Sequence, residues 1–192
     1  GLTAPGLART YVERIWDCHW TRAMENMLDS PHLPFVHRRT IGRLLRRRMT
    51  PTSQMEIDWQ PTAAGGRVVA ALDGRSGGGS LEFFRPNMMA LTIPIPRRHF
   101  RIHALVTPMD AQTTRLTLVG SRDFARSRLL EPLFARSNRR IADEDQRVVE
   151  SARPREIPPA GQERSVATDA ATLQFRKYYY EVLRTSRASG GR

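Results

Sequence analysis

Asn26-Met27-Leu28-Asp29-Ser30-Pro31-His32-Leu33-Pro34-Phe35-Val36-His37 carries two histidines five residues apart, behind an Asn and an Asp, with apolar residues in the gaps. Neutral imidazole offers a lone pair at physiological pH, which makes His the commonest side-chain metal ligand. In an ideal helix, positions i and i+5 diverge by about 140°, so His32 and His37 could not converge there. Pro31 and Pro34 flank His32. Pro34 removes an amide donor and disfavours the helical state of the residue before it. The pattern predicts a first helix from about Val12 to Pro31 that ends or kinks at His32, letting His37 swing back. Asn26, Asp29 and His32 are spaced by threes and share a surface while the helix lasts. Asp29 could accept a hydrogen bond from the second ring nitrogen of a ligating His.

Two histidines and one carboxylate on one face of a metal leave the other positions open, the ligand set of non-haem Fe(II) oxygen-activating sites. The carboxylate candidate is Asp145. The segment from about Leu129 to Ala152 reads as a helix, and Phe134, Asn138, Ile141, Asp145, Val148 and Ala152 form one stripe of it. Asp145 interrupts a mostly apolar face, whereas Asp143, Glu144, Arg147 and Glu150 lie off it, where water can solvate them. A carboxylate on a buried face is costly unless paired or metal-bound. Taken alone, Asp145 is compatible with a salt bridge to one of the many arginines; beside the histidine pair, a metal ligand is the stronger reading.

The pattern Asn26-x-x-Asp29-x-x-His32-x-x-x-x-His37, followed by Glu144-Asp145-x-x-Val148-Val149-Glu150, resembles the catalytic domain of Rieske non-haem iron oxygenases. It is most similar to the branch with vanillate O-demethylase, dicamba monooxygenase and pheophorbide a oxygenase. Cys18-His19-Trp20 resembles the lead-in of that branch, and Phe175-Arg176-Lys177-Tyr178 its C-terminal aromatic-Arg-Lys-aromatic element. The likeness runs from about Glu13 to Leu183 and is thin between Met49 and Arg98. It implies a mononuclear iron(II) on His32, His37 and Asp145. It implies that Asp29 bridges toward a neighbouring chain's Rieske cluster in a homotrimer, and that Asn26 supports the iron site. It also implies a Rieske protein or domain, with a reductase or ferredoxin, as electron source. A Rieske [2Fe–2S] cluster needs two Cys and two His, and Cys18 is the only cysteine. This chain cannot hold that cluster, a disulfide or a thiolate zinc site. The start, Gly1-Leu2-Thr3, suits an excised domain or a tag scar; from the single cysteine the expectation is a single catalytic domain over 1–192 without its Rieske domain, inactive as an isolated chain.

With 192 residues, 40% of them hydrophobic, the chain can bury one well-packed core. No apolar run nears the roughly 18 residues of a membrane span, and no signal peptide is visible; a cytoplasmic location is expected. The net charge is +12, and Lys177 is the only lysine. Arginine is scattered, without interleaved aromatics or a nucleic-acid motif, so nucleic acid is not expected as a partner. Its densest run is Arg43-Leu44-Leu45-Arg46-Arg47-Arg48, and a basic field of this kind can steer an acidic redox partner. Cys18 reads as a buried or half-buried thiol.

After Thr50-Pro51 the pattern turns to period-two alternation. Strands are predicted over Met55–Trp59, Arg67–Leu72, Leu81–Phe84, Met88–Ile93, Phe100–Thr107 and Thr114–Ser121, with tight turns that argue an antiparallel meander. Asp73 to Gly79 reads as a loop, Arg153 to Gly161 as a surface linker with three prolines, and the tail from Ser186 as frayed. A last helix opens at Thr168-Asp169, with Ala171, Phe175, Tyr178 and Val182 as its buried stripe. The expected fold is α+β: a curved antiparallel sheet covered by helices on one face, agreeing with the helix-grip-like architecture the resemblance implies. Met88, Leu91, Phe100, Ile102, His103 and Leu105, with Met89, are candidate pocket residues. The function expected is O2 activation to hydroxylate or demethylate an apolar cyclic or aromatic small molecule. The rival is a non-catalytic small-molecule or lipid carrier of the same shape with a vestigial metal site.

Overall fold

A computed structural model describes residues 4–77, 79–159 and 161–185. The Ser186 tail, and Gly78 within the glycine loop, lie outside the described residues. The chain forms an α+β fold with strands β1 (Ala8–Trp16), β2 (Met55–Thr62), β3 (Gly65–Leu72), β4 (Arg75–Ser76), β5 (Ser80–Phe84), β6 (Met88–Thr92), β7 (Phe100–Pro108) and β8 (Thr114–Arg122). They make one antiparallel sheet in the order β1-β8-β7-β6-β5-β3-β2, with β4 paired to β3. The helices are α1 (Trp20–Leu28), α2 (Leu33–Val36), α3 (Arg43–Arg48), α4 (Glu131–Ser151) and α5 (Ala170–Tyr178). Against the sheet, α1 packs on β6 and β7, α4 on β1 and β8, and α5 on β2.

Strand parity assigns the faces. Met89 pairs with Ala104 and Leu91 with Ile102, and these point to the helices. Met88 pairs with Leu105, and Ala90 with His103, on the opposite face. Trp16, Met24, Leu28, Val106, Leu116, Ile157 and Phe175 are fully buried between the layers. Trp20, Phe83 and Tyr179 close around Phe175, the first two edge-on and Tyr179 stacked. Gly66 permits one tight contact: a Cβ there would lie 2.0 Å from the Trp59 ring.

Five expectations are corrected. The predicted first helix is a strand followed by a helix. Thr10, Val12 and Trp16 point inward while Tyr11, Glu13 and Ile15 point out, and β-branched and aromatic residues suit that pleat. The helix then ends at Leu28 rather than at His32. Asp29 is already extended, and Pro31 disfavours the helical state of Ser30, so the helix does not resume there. On α4 the buried stripe is Asn138, Ile141, Ala142, Asp145 and Val149; Val148 is 43% exposed. On α5 the stripe is Ala171, Phe175 and Tyr179, and Val182 is exposed. There the helix widens into a π-helical stretch, Tyr179–Arg184, which brings Leu183 rather than Val182 back to the core. The proline-rich segment after α4 is also more than a surface linker: Ile157 is a core residue, its amide donating to Thr21 Oγ1.

Candidate metal centre

The site is assembled where α1 stops. The Asp29 amide closes the helix on the Glu25 carbonyl at 2.9 Å. His32 then caps α2, whose first turn accepts Pro34 because its missing amide would be unpaired there anyway. The His37 amide donates to the Leu33 carbonyl, and the Gly42 amide to the His37 carbonyl. A Cβ at Gly42 would stand 1.9 Å from the Leu33 carbonyl oxygen, so only glycine allows this turn to fold back so closely. The result is a T-shaped pair of imidazoles with ring centroids 5.1 Å apart.

Asp145, a turn and a half before the end of α4, reaches the pair. Its Oδ1 is 3.1 Å from His37 Nε2 and 3.5 Å from His32 Nε2. One ligand atom from each of the three lies within 4.8 Å of the others. His37 and Asp145 are 1% and 4% exposed. The contacts are close but outside hydrogen-bond geometry: Asp145 Oδ1 and both His32 nitrogens have no hydrogen-bond partner. Buried polar atoms rarely go unpaired. Three convergent donor groups, two imidazoles and a carboxylate, with His32 and Asp145 Oδ1 left unpaired by the protein, fit a divalent cation with N/O preference.

Glu144 is the functional residue that sequence reasoning missed. It was assigned to water, but its Oε2 lies 2.9 Å from His37 Nδ1 and accepts from the Thr40 hydroxyl at 2.7 Å. Arg140 donates to Oε1. That arrangement fixes the ring and turns Nε2 toward Asp145, the orientation a metal-ligating His would need. The available signal was its place beside Asp145, about 100° round the helix. Asp29 was expected to hold a histidine ring nitrogen. Its Oδ2 stands 3.8 Å from His32 Nδ1, just beyond a hydrogen bond. Asn26 is buried, with an unpaired amide nitrogen.

Burial sets the charges. It holds the His32 imidazole below its ordinary value, against the pull of Asp145. Burial also opposes protonation of His37, but Asp145 and then Glu144 outweigh it and raise the value. Asp29 is pushed up to about 6, by burial first and then by the charge of Asp169. Cys18 is buried and pushed up to about 11 by desolvation, which keeps it a thiol.

Above the three ligands lies a narrow cavity of about 40 Å³, walled by Met27, Leu33, Ile41, Leu81, Met89, Leu91, Ile102, Ala104, Leu118 and Ile141. Of the candidate pocket residues, Leu91, Ile102 and Met89 line it. Met88, His103 and Leu105 are on the other face of the sheet by parity, where His103 is buried with its Nδ1 lacking a hydrogen-bond partner. Phe100 packs edge-on against Phe124 and Phe134.

Residues 16–185 match the family described as the vanillate O-demethylase oxygenase C-terminal domain. The chain belongs to this family. Among solved structures, it superimposes on Pseudomonas putida CBB5 NdmA with a TM-score of 0.76 and 22% identity, covering 97% of this chain and 53% of that one. NdmB of the same strain gives 0.74 and 23%, again covering 97% and 53%. Dicamba monooxygenase bound to 3,6-dichlorosalicylic acid gives 0.70 and 16%, covering 98% and 62%. At these identities the likeness is one of fold, and the chain spans about half the length of NdmA and NdmB. A search of curated proteins finds no match. As a vanillate O-demethylase-type C-terminal domain, the chain has the architecture of Rieske oxygenase catalytic domains, with a His-His-Asp cluster where sheet and helices enclose the cavity. Among the described residues, no helix is long and apolar enough to cross a membrane.

Proposed function

We propose that this domain catalyses oxygenation of an apolar cyclic or aromatic small molecule, by monooxygenation or demethylation, with His32, His37 and Asp145 holding a mononuclear iron(II). The observation that carries the reading is the convergence of three buried donor groups at the floor of an apolar cavity, with the His32 nitrogens and Asp145 Oδ1 lacking hydrogen-bond partners. Iron(II) in such a ligand set supplies a centre for activating O2 with electrons from a Rieske protein or domain.

The side chains divide the remaining work. His32 is kept neutral by burial and presents Nε2. Glu144 and Thr40 fix His37, which must shed its proton before it can ligate. Asp145 contributes the negative charge that offsets part of the cation's. Asp29 borders both this cavity and a polar one of about 240 Å³ on its other side, so it links the His32 ring to the surface facing an electron donor. Met27, Met89 and the aliphatic walls exclude water. A benzene-sized ligand needs on the order of 150 Å³, so substrate entry requires the walls to part. Met27 and Met89, unbranched and adaptable, are suited to that. A homotrimer and a reductase-fed Rieske partner complete the proposed assembly.

The test is anaerobic Fe(II) titration of the full chain, followed by turnover with a separately supplied Rieske protein, reductase and O2. One iron per chain, and oxidation of apolar cyclic compounds only when the Rieske protein is present, is the expected result. Ligand binding without iron affinity would instead identify a carrier.

A further inference from the structure

One segment forms both a wall of the apolar cavity and the surface outside it. Leu33, His37 and Ile41 face the cavity. From Ser30 to Met55 the chain has no acidic residue and six arginines: Arg38, Arg39, Arg43, Arg46, Arg47 and Arg48. All six are exposed. Among the described residues none of them makes an ion pair, whereas Arg14, Arg67, Arg101 and Arg140 each meet a carboxylate. Two large apolar side chains stand in water among them, Phe35 at 59% and Leu44 at 70% exposure. Arg46 lies 6.0 Å from the centroid of the Phe35 ring. The α3 helix buries none of its residues.

Six like charges within eleven residues repel one another unless anions are brought to them. Guanidinium forks match phosphate in a bidentate way. Exposed Phe and Leu beside arginines is the composition of segments that lie in a membrane interface, their apolar side chains at the boundary of headgroups and acyl chains. The cavity behind this segment offers aliphatic walls and no hydrogen-bonding group beyond Asp29 and the three proposed ligands. A molecule suited to such walls partitions into bilayers. An acidic protein could neutralise the arginines equally well, but would not explain why the basic, apolar surface is carried on the wall of a cavity for apolar molecules.

We propose that the outer side of the Leu33–Met49 segment docks this protein peripherally on an anionic lipid surface, with the arginines on lipid phosphates and Phe35 and Leu44 at the acyl boundary, so that an apolar substrate passes from bilayer to cavity. The choice of a lipid surface rests on the apolar-substrate reading above; the basic, unpaired surface does not.

The experiment is co-sedimentation of the full chain with vesicles of phosphatidylcholine alone or mixed with phosphatidylglycerol, at physiological salt. Fe(II) binding is measured on the same preparations. Binding to the anionic vesicles alone is expected. It should weaken by about tenfold or more in Arg43→Glu/Arg46→Glu/Arg47→Glu, and also in Phe35→Ser/Leu44→Ser. A charge-matched control, Arg98→Glu/Arg136→Glu/Arg147→Glu, should change it by less than about twofold. Three results would overturn the proposal: no binding to anionic vesicles, equal loss in the control, or full binding by the Phe35/Leu44 variant. So would saturable binding of an acidic ferredoxin, lost on reversing the α3 charges, in a chain that ignores vesicles. Loss of iron affinity with vesicle binding intact would count against the oxygenase reading and leave the docking surface standing.

Discussion

Two buried polar clusters meet the same short helix, and they are built on opposite principles. On one side of α1, Glu25 and Arg22 engage Arg176 of α5 and Glu163. Arg22 donates to Glu25 and Glu163 at 2.8 and 2.9 Å, and Arg176 donates to both as well. Two cations face two anions, and each carboxylate receives both guanidinia. Just past the helix end, His32, His37 and Asp145 converge, and both His32 nitrogens and Asp145 Oδ1 find no hydrogen-bond partner in the protein. The first cluster balances its own charge, with only Arg176 Nη1 left unpaired, and ties α5 to α1. The second is incomplete as protein, which is the mark of a site that binds. Burial alone does not distinguish structural from functional charge; whether the charges are satisfied does.

The largest effect should come from breaking the self-neutralised cluster. Arg176→Met leaves Glu25 and Glu163 facing each other with only Arg22, and removing one partner of a buried pair costs about 3–5 kcal/mol. A urea melt should show that loss, and the double variant Arg176→Met/Glu25→Leu should recover most of it. A single variant within about 1 kcal/mol of wild type would mean the clasp is solvated and the contrast drawn above is false.

The metal cluster should respond the other way. Asp145→Asn removes a charge whose nearest protein partner is the His37 ring, itself held by Glu144 on its other nitrogen, so the metal-free chain should keep its stability to within about 1 kcal/mol. Saturating Fe(II), at about a hundred times its dissociation constant, should stabilise the wild type by about 2.7 kcal/mol and the variant hardly at all. Thermal melts with and without iron read both halves. A strongly destabilised metal-free variant would show that Asp145 serves the fold.

Glu144→Gln probes the support of His37. Removing such an outer partner typically weakens metal binding about 10–100-fold, and competition with a chelator measures it. An unchanged affinity would return Glu144 to the solvated role its place on the helix suggests.

Much of this was readable from residues, and the failures have physical causes. The convergence of His32, His37 and Asp145 was legible because a buried acid breaks an apolar stripe and because prolines around His32 forbid the helix that would keep the histidines apart. The meander was legible from period-two alternation, and its parity also shows why Met88, His103 and Leu105 miss the cavity: each is an odd step from Leu91, Ile102 or Ala104. The strand Ala8–Trp16 was not legible, because large apolar or aromatic residues stand on both of its faces, Val12 and Trp16 inward and Tyr11 and Ile15 outward, and blur the alternation. The Glu25–Arg176 clasp joins positions 151 residues apart in a chain crowded with arginine, and nothing local marks one arginine as buried. The Gly42 turn depends on a carbonyl nine residues back, a constraint visible only in three dimensions.

The smallest expected effect lies at the rim of the clasp, where its logic can be tested by pH. Hydrogen bonds from Arg22 first, and from Arg176 after the opposing effect of burial, hold the Glu163 carboxyl below its ordinary value. A lowered value in the folded state means that folding favours the charged form. The resulting stability is present above the unfolded value of about 4.3 and is lost as pH falls through the folded one. The side chain is 33% exposed, so solvent screening keeps the contribution under about 1 kcal/mol. Glu163→Gln should therefore lower stability slightly at pH 7, and the gap to wild type should close as both are titrated into the acid range. Arg176→Met should not show that convergence to the same degree, because it also removes packing around a 7% exposed side chain. If the Glu163→Gln deficit persists unchanged below the unfolded value, the residue acts by shape rather than charge, and the clasp's balance must rest on Glu25 alone.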